Sequence, residues 1–224
     1  MKRLVVAVLG AAIVGLVVVV NFTGVFDVNA VRAVGVDQPT QELMISAADI
    51  AQGTPLARVN TSQVADSVQR EVPAVTSVTA QRRWPHSIVI KATPRTVAAN
   101  VAVDDTVRWA DQTGFVFGAV NQPRKAVPSI IVRPRFGTDT SARQSAIVDA
   151  LTVARALPAP VKAKLARIEF RSQDNIVITT TSGWTIRWGS AADSDRKAVV
   201  LSALLGRKAT VYDVSTPDLP TTKK

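Results

Sequence analysis

The sequence predicts an α+β protein in three parts: an N-terminal transmembrane helix, a small βααββ domain, and a larger mixed β domain with two helices. Three observations lead there. Leu4–Val20 is an unbroken apolar run. Apolar positions between Asn60 and Ala92 change from helical to alternating spacing. Beyond Val97, short alternating segments are punctuated by turn residues.

Leu4–Val20 holds seventeen residues without a charge, twelve of them Val, Leu or Ile, and apolar side chains return at Phe22, Val25 and Phe26. As helix, Leu4–Phe26 reaches roughly 35 Å, against a hydrocarbon core of about 30 Å. Lys2 and Arg3 precede the run and Asp27 follows it, so the positive-inside rule puts residues 1–3 in the cytoplasm and the rest outside. A cleaved signal peptide is the competing reading, with Val28-Asn29-Ala30 as its site. The run is longer than the usual signal core of about 7–15 residues, which favours an uncleaved anchor over residues 4–26.

The small domain opens with an extended segment, Val28–Val36. Ser46-Ala47-Ala48-Asp49 has the form of a capping box and predicts a helix start, stopped by Gly53. Asn60 is placed to cap a second helix, in which Val64, Val68 and Val72 recur until Pro73. Two strands follow, carrying Val78 and Ala80, then Ile88, Ile90 and Ala92, with Trp84-Pro85 as the turn.

In the larger domain, Val101–Val103 and Val107–Ala110 read as strands, and Asp111–Gly114 turns into Phe115–Phe117. Ile130–Val132 is a further strand. Thr140 opens a helix with Ile147, Leu151 and Ala154 on one face, terminated by Pro158 and Pro160. Strands resume around Ile168 and Phe170, at Ile176–Thr181, and at Trp184, Ile186 and Trp188. A helix over Asp193–Leu205, capped by Asp or Ser, leads to a final strand at Thr210–Val214. From 217 to 224 the chain reads as a flexible polar tail.

Composition narrows the chemistry. The 224 residues are 47% hydrophobic and 20% charged, with no cysteine, so a disulfide framework or thiolate site is excluded. The net charge of +10 is spread as pairs at most, such as Arg82-Arg83 and Arg207-Lys208. That pattern fits a solvated basic surface facing an anionic envelope and argues against nucleic acid. His86, the one histidine, stands between Pro85 and Ser87 in a turn, and reads as a surface residue. Asp111 and Asp193 read as turn and helix caps, and Asp104-Asp105 as a loop. No cofactor, metal, small-molecule substrate or catalytic group is expected. Trp109, Trp184 and Trp188 read as core. Trp84, beside Arg82 and Arg83, is either an exposed contact or a buried turn anchor.

Several pieces, taken in order, carry a family likeness. They are Val34-Gly35-Val36, Gly53-Thr54-Pro55-Leu56, Val72-Pro73-Ala74-Val75, Arg83-Trp84-Pro85 and Ile88-Val89-Ile90. Asp111-Gln112-Thr113-Gly114 with Phe117, the Gly183–Gly189 segment and Tyr212-Asp213-Val214-Ser215 follow. Together they resemble the bacterial FtsQ/DivIB cell-division family. The resemblance implies a POTRA domain at 27–95 and an FtsQ-type β domain at 96–216. It implies a non-catalytic scaffold in the cytoplasmic membrane at the septum. Its partners would be FtsB/DivIC-like and FtsL-like division proteins, with a link to septal peptidoglycan synthesis.

In that family the principal partner docks on the last strand of the β domain, which by position implies Tyr212, Asp213, Val214, Ser215 and Thr216. That stretch holds one charge, so it is poorly defended as a free edge and suits β-augmentation. The alternative is a strand internal to the sheet. The chain departs from the family at Pro94-Arg95-Thr96-Val97, where Glu-Arg-x-Pro is common. A membrane-anchored cell-wall enzyme and a signal-cleaved secreted binding protein are the other readings.

Overall fold

The chain divides into two units, residues 1–95 and 96–224, in a computed structural model that describes residues 6, 8–13, 15, 24–103, 106–118, 123–133 and 139–224. Residues 6, 8–13 and 15 are helical and exposed. Among the described residues no helix is long and apolar enough to cross a membrane. The rest of the expected anchor up to residue 23 lies outside the described residues, as do residues 1–3 and Asp104-Asp105.

In the first unit, β1 (Ala30–Val34) runs parallel to β3 (Ser87–Pro94), which pairs antiparallel with β2 (Val75–Arg83), giving the order β1-β3-β2. Two helices, α1 (Gln38–Ala48) and α2 (Thr61–Glu71), bury Met44, Ala47, Val64 and Val68 in one cluster with Ile88 and Ile90. Each large aliphatic side chain taken from water contributes about 1.5–3 kcal/mol, so this cluster is what holds helices to sheet. Asn60 caps α2, its carboxamide oxygen accepting from the N–H groups of Ser62 and Gln63. Gly35 turns β1 into α1 at φ +98°, where an added Cβ would lie 2.2 Å from the Ala92 carbonyl oxygen.

Two expectations are corrected here, and one element is added. The stretch Ser46–Asp49 is the end of α1, not its start. Pro39 sits in the first turn, and Asp49 closes the helix in the left-handed region at φ 44°. The capping-box pattern misled because Met44, Ala47 and Ala48 already form the buried stripe of the preceding turn. A 3-10 turn, Leu56–Arg58, was not foreseen. Phe26, expected within the anchor, belongs to this folded unit: its carbonyl accepts the Leu56 N–H at 2.9 Å.

The second unit is a nine-stranded sheet of order β12-β11-β10-β9-β8-β7-β4-β5-β6. Its strands are β4 (Ala99–Val103), β5 (Thr106–Ala110), β6 (Val116–Phe117), β7 (Ser129–Val132), β8 (Leu165–Ser172), β9 (Asn175–Thr180), β10 (Thr185–Gly189), β11 (Val211–Asp213) and β12 (Thr221–Lys223). Its helices are α3 (Thr140–Ala156), α4 (Ala159–Lys162) and α5 (Ser194–Leu204). Ile147, Leu151, Leu201 and Leu204 join Ile130, Ile168, Ile178, Ile186, Trp188 and Tyr212 in one core, so the long helices share one face of the sheet. Residues one step out of phase, among them Glu169, Arg187 and Asp213, stand on the other face.

Local chemistry again departs from expectation at the helix ends. Pro158 ends α3, but Pro160 lies inside the short α4, where its fixed φ suits a first turn. Asp193 does not cap α5 with its side chain; it sits at φ 52°. Ser194 is used instead to accept the Trp188 indole N–H at 3.0 Å and to donate to the Ala191 carbonyl at 2.8 Å. The largest correction concerns 217–224. This stretch is no loose tail: Thr221–Lys223 is strand β12, paired antiparallel to β11.

Candidate partner-binding surface

The five residues singled out in sequence occupy β11 and the turn after it. Tyr212 is buried on the helix-covered face, edge-on to Trp184 at 5.9 Å between ring centroids, with its hydroxyl donating to the Arg207 carbonyl at 3.1 Å. Val214 is fully buried and donates its N–H to the Arg187 carbonyl at 3.0 Å. Asp213 faces the other way. One of its carboxylate oxygens accepts from the Ser215 N–H at 3.0 Å and the Ser215 hydroxyl at 2.6 Å. Ser215 and Thr216 are exposed. Gly189, at φ +77°, makes room for this turn, since a Cβ there would meet the Ser215 Cβ at 2.9 Å.

The structure therefore brings these residues together, but as an interior strand. β11 is parallel to β10 on one side and antiparallel to β12 on the other, through Val211–Lys223, Tyr212–Thr222 and Asp213–Thr221. The edge that the sequence left open on Tyr212–Thr216 is thus occupied at Tyr212 and Asp213, and Val214–Thr216 lie beyond the strand. The sheet ends one strand further on, at β12. An edge strand keeps backbone donors and acceptors turned away from its neighbour, which is the feature that strand addition needs.

What surrounds this edge is polar and partly ordered by charge. Asp218 in the β11–β12 connection forms an ion pair with Arg196 of α5, and Arg187 stands 3.9 Å from Asp213. Leu219, in the same connection, is 77% exposed and offers an apolar contact beside the edge. On the sheet face without helices, Glu169 is buried between Arg133 and Arg171, the latter at 2.7 Å. The hydrogen bond from Arg171 is the main cause that holds the Glu169 carboxyl below its ordinary value; burial opposes it and both guanidinium charges add to it. Lys197 is buried in α5, donates to the Ser190 carbonyl at 2.9 Å, and has its pKa lowered by burial.

Several of the residues weighed for chemistry have structural partners. Asp111 accepts from Thr113 and Phe115 N–H groups at 2.8 and 3.1 Å, as a turn carboxylate does. Trp188 is core; Trp109 and Trp184 are half-buried, under Arg124 and Lys164 respectively. Trp84 is exposed, so it is no buried turn anchor. His86 is not a free surface residue: it is half-buried, stacked on Phe26 with ring centroids 6.5 Å apart. Among the described residues, no group of three or more His, Asp or Glu is placed to hold a metal.

Sequence comparison covers both units. Residues 26–93 match the family model for the POTRA domain, FtsQ-type, and residues 99–219 that for cell division protein FtsQ/DivIB, C-terminal. The chain is 34% identical over 209 residues to the cell division protein FtsQ of Mycobacterium leprae, covering 93% of this chain and 59% of that one. It is 32% identical over 210 residues to that of Mycolicibacterium smegmatis, covering 94% and 61%. The match to Streptomyces coelicolor FtsQ is 32% over 201 residues, covering 83% and 74%. The chain thus spans about three fifths of the length of the two mycobacterial relatives.

Proposed function

We propose that this chain, which belongs to the FtsQ/DivIB family of cell-division proteins, is a non-catalytic scaffold that offers a sheet edge to a division partner outside the membrane. The apolar run that starts at Leu4 and ends before Phe26 anchors it by a single span in the bacterial cytoplasmic membrane at the septum, with the N-terminus inside. Its partners are FtsB/DivIC-like and FtsL-like proteins, and through them it is linked to septal peptidoglycan synthesis.

One observation carries this reading: among the described residues the nine-stranded sheet ends on β12, which has β11 on one side and no strand on the other. An extended partner segment laid along Thr221–Lys223 would satisfy backbone groups there, with Leu219 beside it for an apolar contact. The residues Tyr212–Thr216 then act mainly from behind. Buried Tyr212 and Val214 hold β11 in register, and β11 holds β12. Ser215 and Thr216, being exposed, remain within reach of the partner.

The test is photo-crosslinking in cells, with the reactive residue placed in turn from Arg207 to Lys224. Adducts with an FtsB-like protein are expected to cluster at Leu219–Lys223 and at Ser215 and Thr216. Adducts absent from this whole segment, in cells where division requires the protein, would refute the edge as the docking site.

A further inference from the structure

We propose that the tip of the β2–β3 hairpin, together with Val25 and Phe26, rests in the headgroup layer of a phospholipid bilayer. The inference builds on the anchor reading above.

The tip is apolar where a soluble turn would be polar. Trp84 is 53% exposed and Val25 is 54% exposed, although both are large hydrophobic residues. Phe26, next to Val25 in the chain, meets Trp84 edge-on with ring centroids 5.5 Å apart and so brings the two segments together. The patch is held rigidly. Arg82 clamps the base of the hairpin by donating to the Leu56 and Val59 carbonyls at 3.0 and 2.6 Å, and the Ser87 hydroxyl bonds the Arg83 carbonyl at 3.0 Å.

Its position along the chain identifies the occupant. The apolar run ends at Val20, five residues before Val25. Even fully extended, five residues reach no more than about 18 Å, and Phe22 lies between them. The patch is therefore tethered beside any bilayer the run enters. Indole suits the boundary of such a bilayer, since it has an apolar body and one N–H for the wet side. Arg83, exposed next to Trp84, is placed for lipid phosphates. A protein partner would need a matching surface brought to this place, whereas the lipid is already there.

Because the chain has no cysteine, a single label can be placed cleanly. The full chain would carry Trp84→Cys, or Arg83→Cys as a second variant that leaves the indole in place, each labelled with a polarity-sensitive fluorophore. Thr76→Cys, exposed and about 25 Å away along β2, is the reference. Reconstituted in phosphatidylglycerol–phosphatidylcholine vesicles, the labels at 83 and 84 should shift to the blue and be quenched by brominated acyl chains; the label at 76 should do neither. A chain that floats with the vesicles while labels at 76, 83 and 84 stay equally aqueous overturns this inference and leaves the anchor standing. A chain that does not float overturns both. A blue shift at 84 that needs added partner protein assigns the patch to a protein and overturns the lipid.

Discussion

The backbone N–H of Val214 donates to the carbonyl of Arg187 at 3.0 Å, tying the end of β11 to β10 inside the sheet. Val214 is therefore spent on its own domain. Proline there should destabilise the second unit by about 1–3 kcal/mol, by removing a buried donor. Thr222→Pro, on the edge strand, should move the thermal midpoint less and weaken partner binding about tenfold or more, seen by titration with an FtsB-like peptide. Equal affinity for the Thr222 variant and wild type would count against the edge.

Glu169 gives a pH dependence whose sign can be worked out. Its folded pKa lies below the unfolded value, chiefly because Arg171 hydrogen-bonds the ionised form. The contribution is thus complete above the ordinary glutamate value of about 4.3 and is lost as pH falls through the lower folded value. Both arginines are about half exposed, so screening keeps the total near 1 kcal/mol. Glu169→Gln should cost about that much at pH 7 and flatten the acid limb of a stability-against-pH curve. An unchanged acid limb would show that the two guanidinium groups are not engaged in solution.

Gly35 admits no side chain. With φ at +98° and the Ala92 carbonyl oxygen 2.2 Å from a new Cβ, Gly35→Ala must shift β1 against β3. A loss of about 2 kcal/mol or more is expected in the first unit. Gly53→Ala is the comparison: its φ is +81° but nothing stands within 4 Å, so strain alone applies. Chemical denaturation of the two variants separates clash from strain.

Among the described residues, the Nδ1 atom of His86 is buried without a hydrogen-bond partner, and its ring stacks on Phe26. Replacing the ring with one that has no polar atom removes that liability and keeps the stack. His86→Phe should be neutral or stabilising by up to about 2 kcal/mol, measured by melting. A clear loss would mean that the imidazole nitrogen has a partner in solution.

The sequence was most readable where apolar side chains set a rhythm. Val64 and Val68 mark α2, Ile88 and Ile90 mark β3, and Ile186 and Trp188 mark β10, because burial on one face repeats with the element's own period. The proposed docking edge was less readable. Tyr212 and Val214 advertise a strand through their hydrophobicity, which is also why they are interior. Thr221-Thr222-Lys223 has no apolar residue to betray it, and becomes a strand by pairing with β11. An edge that must stay soluble hides from pattern reading for the same reason that it is soluble. The α1 start failed differently: Ser46 and Asp49 imitate a cap, and only the packing of Met44 shows the helix already under way.

The parallel contacts of the larger sheet carry a kinetic consequence. β4 lies beside β7, with β5 and β6 made in between, while β7 joins β8 through α3 and β10 joins β11 through α5. Each neighbour must find the other across a long intervening stretch, and the entropy of closing it is spent before the pairing returns anything. The first unit meets the same cost where β1 must find β3 across residues 35–86, so both units should refold slowly for their size. During that delay an exported chain would need protection from aggregation and proteolysis.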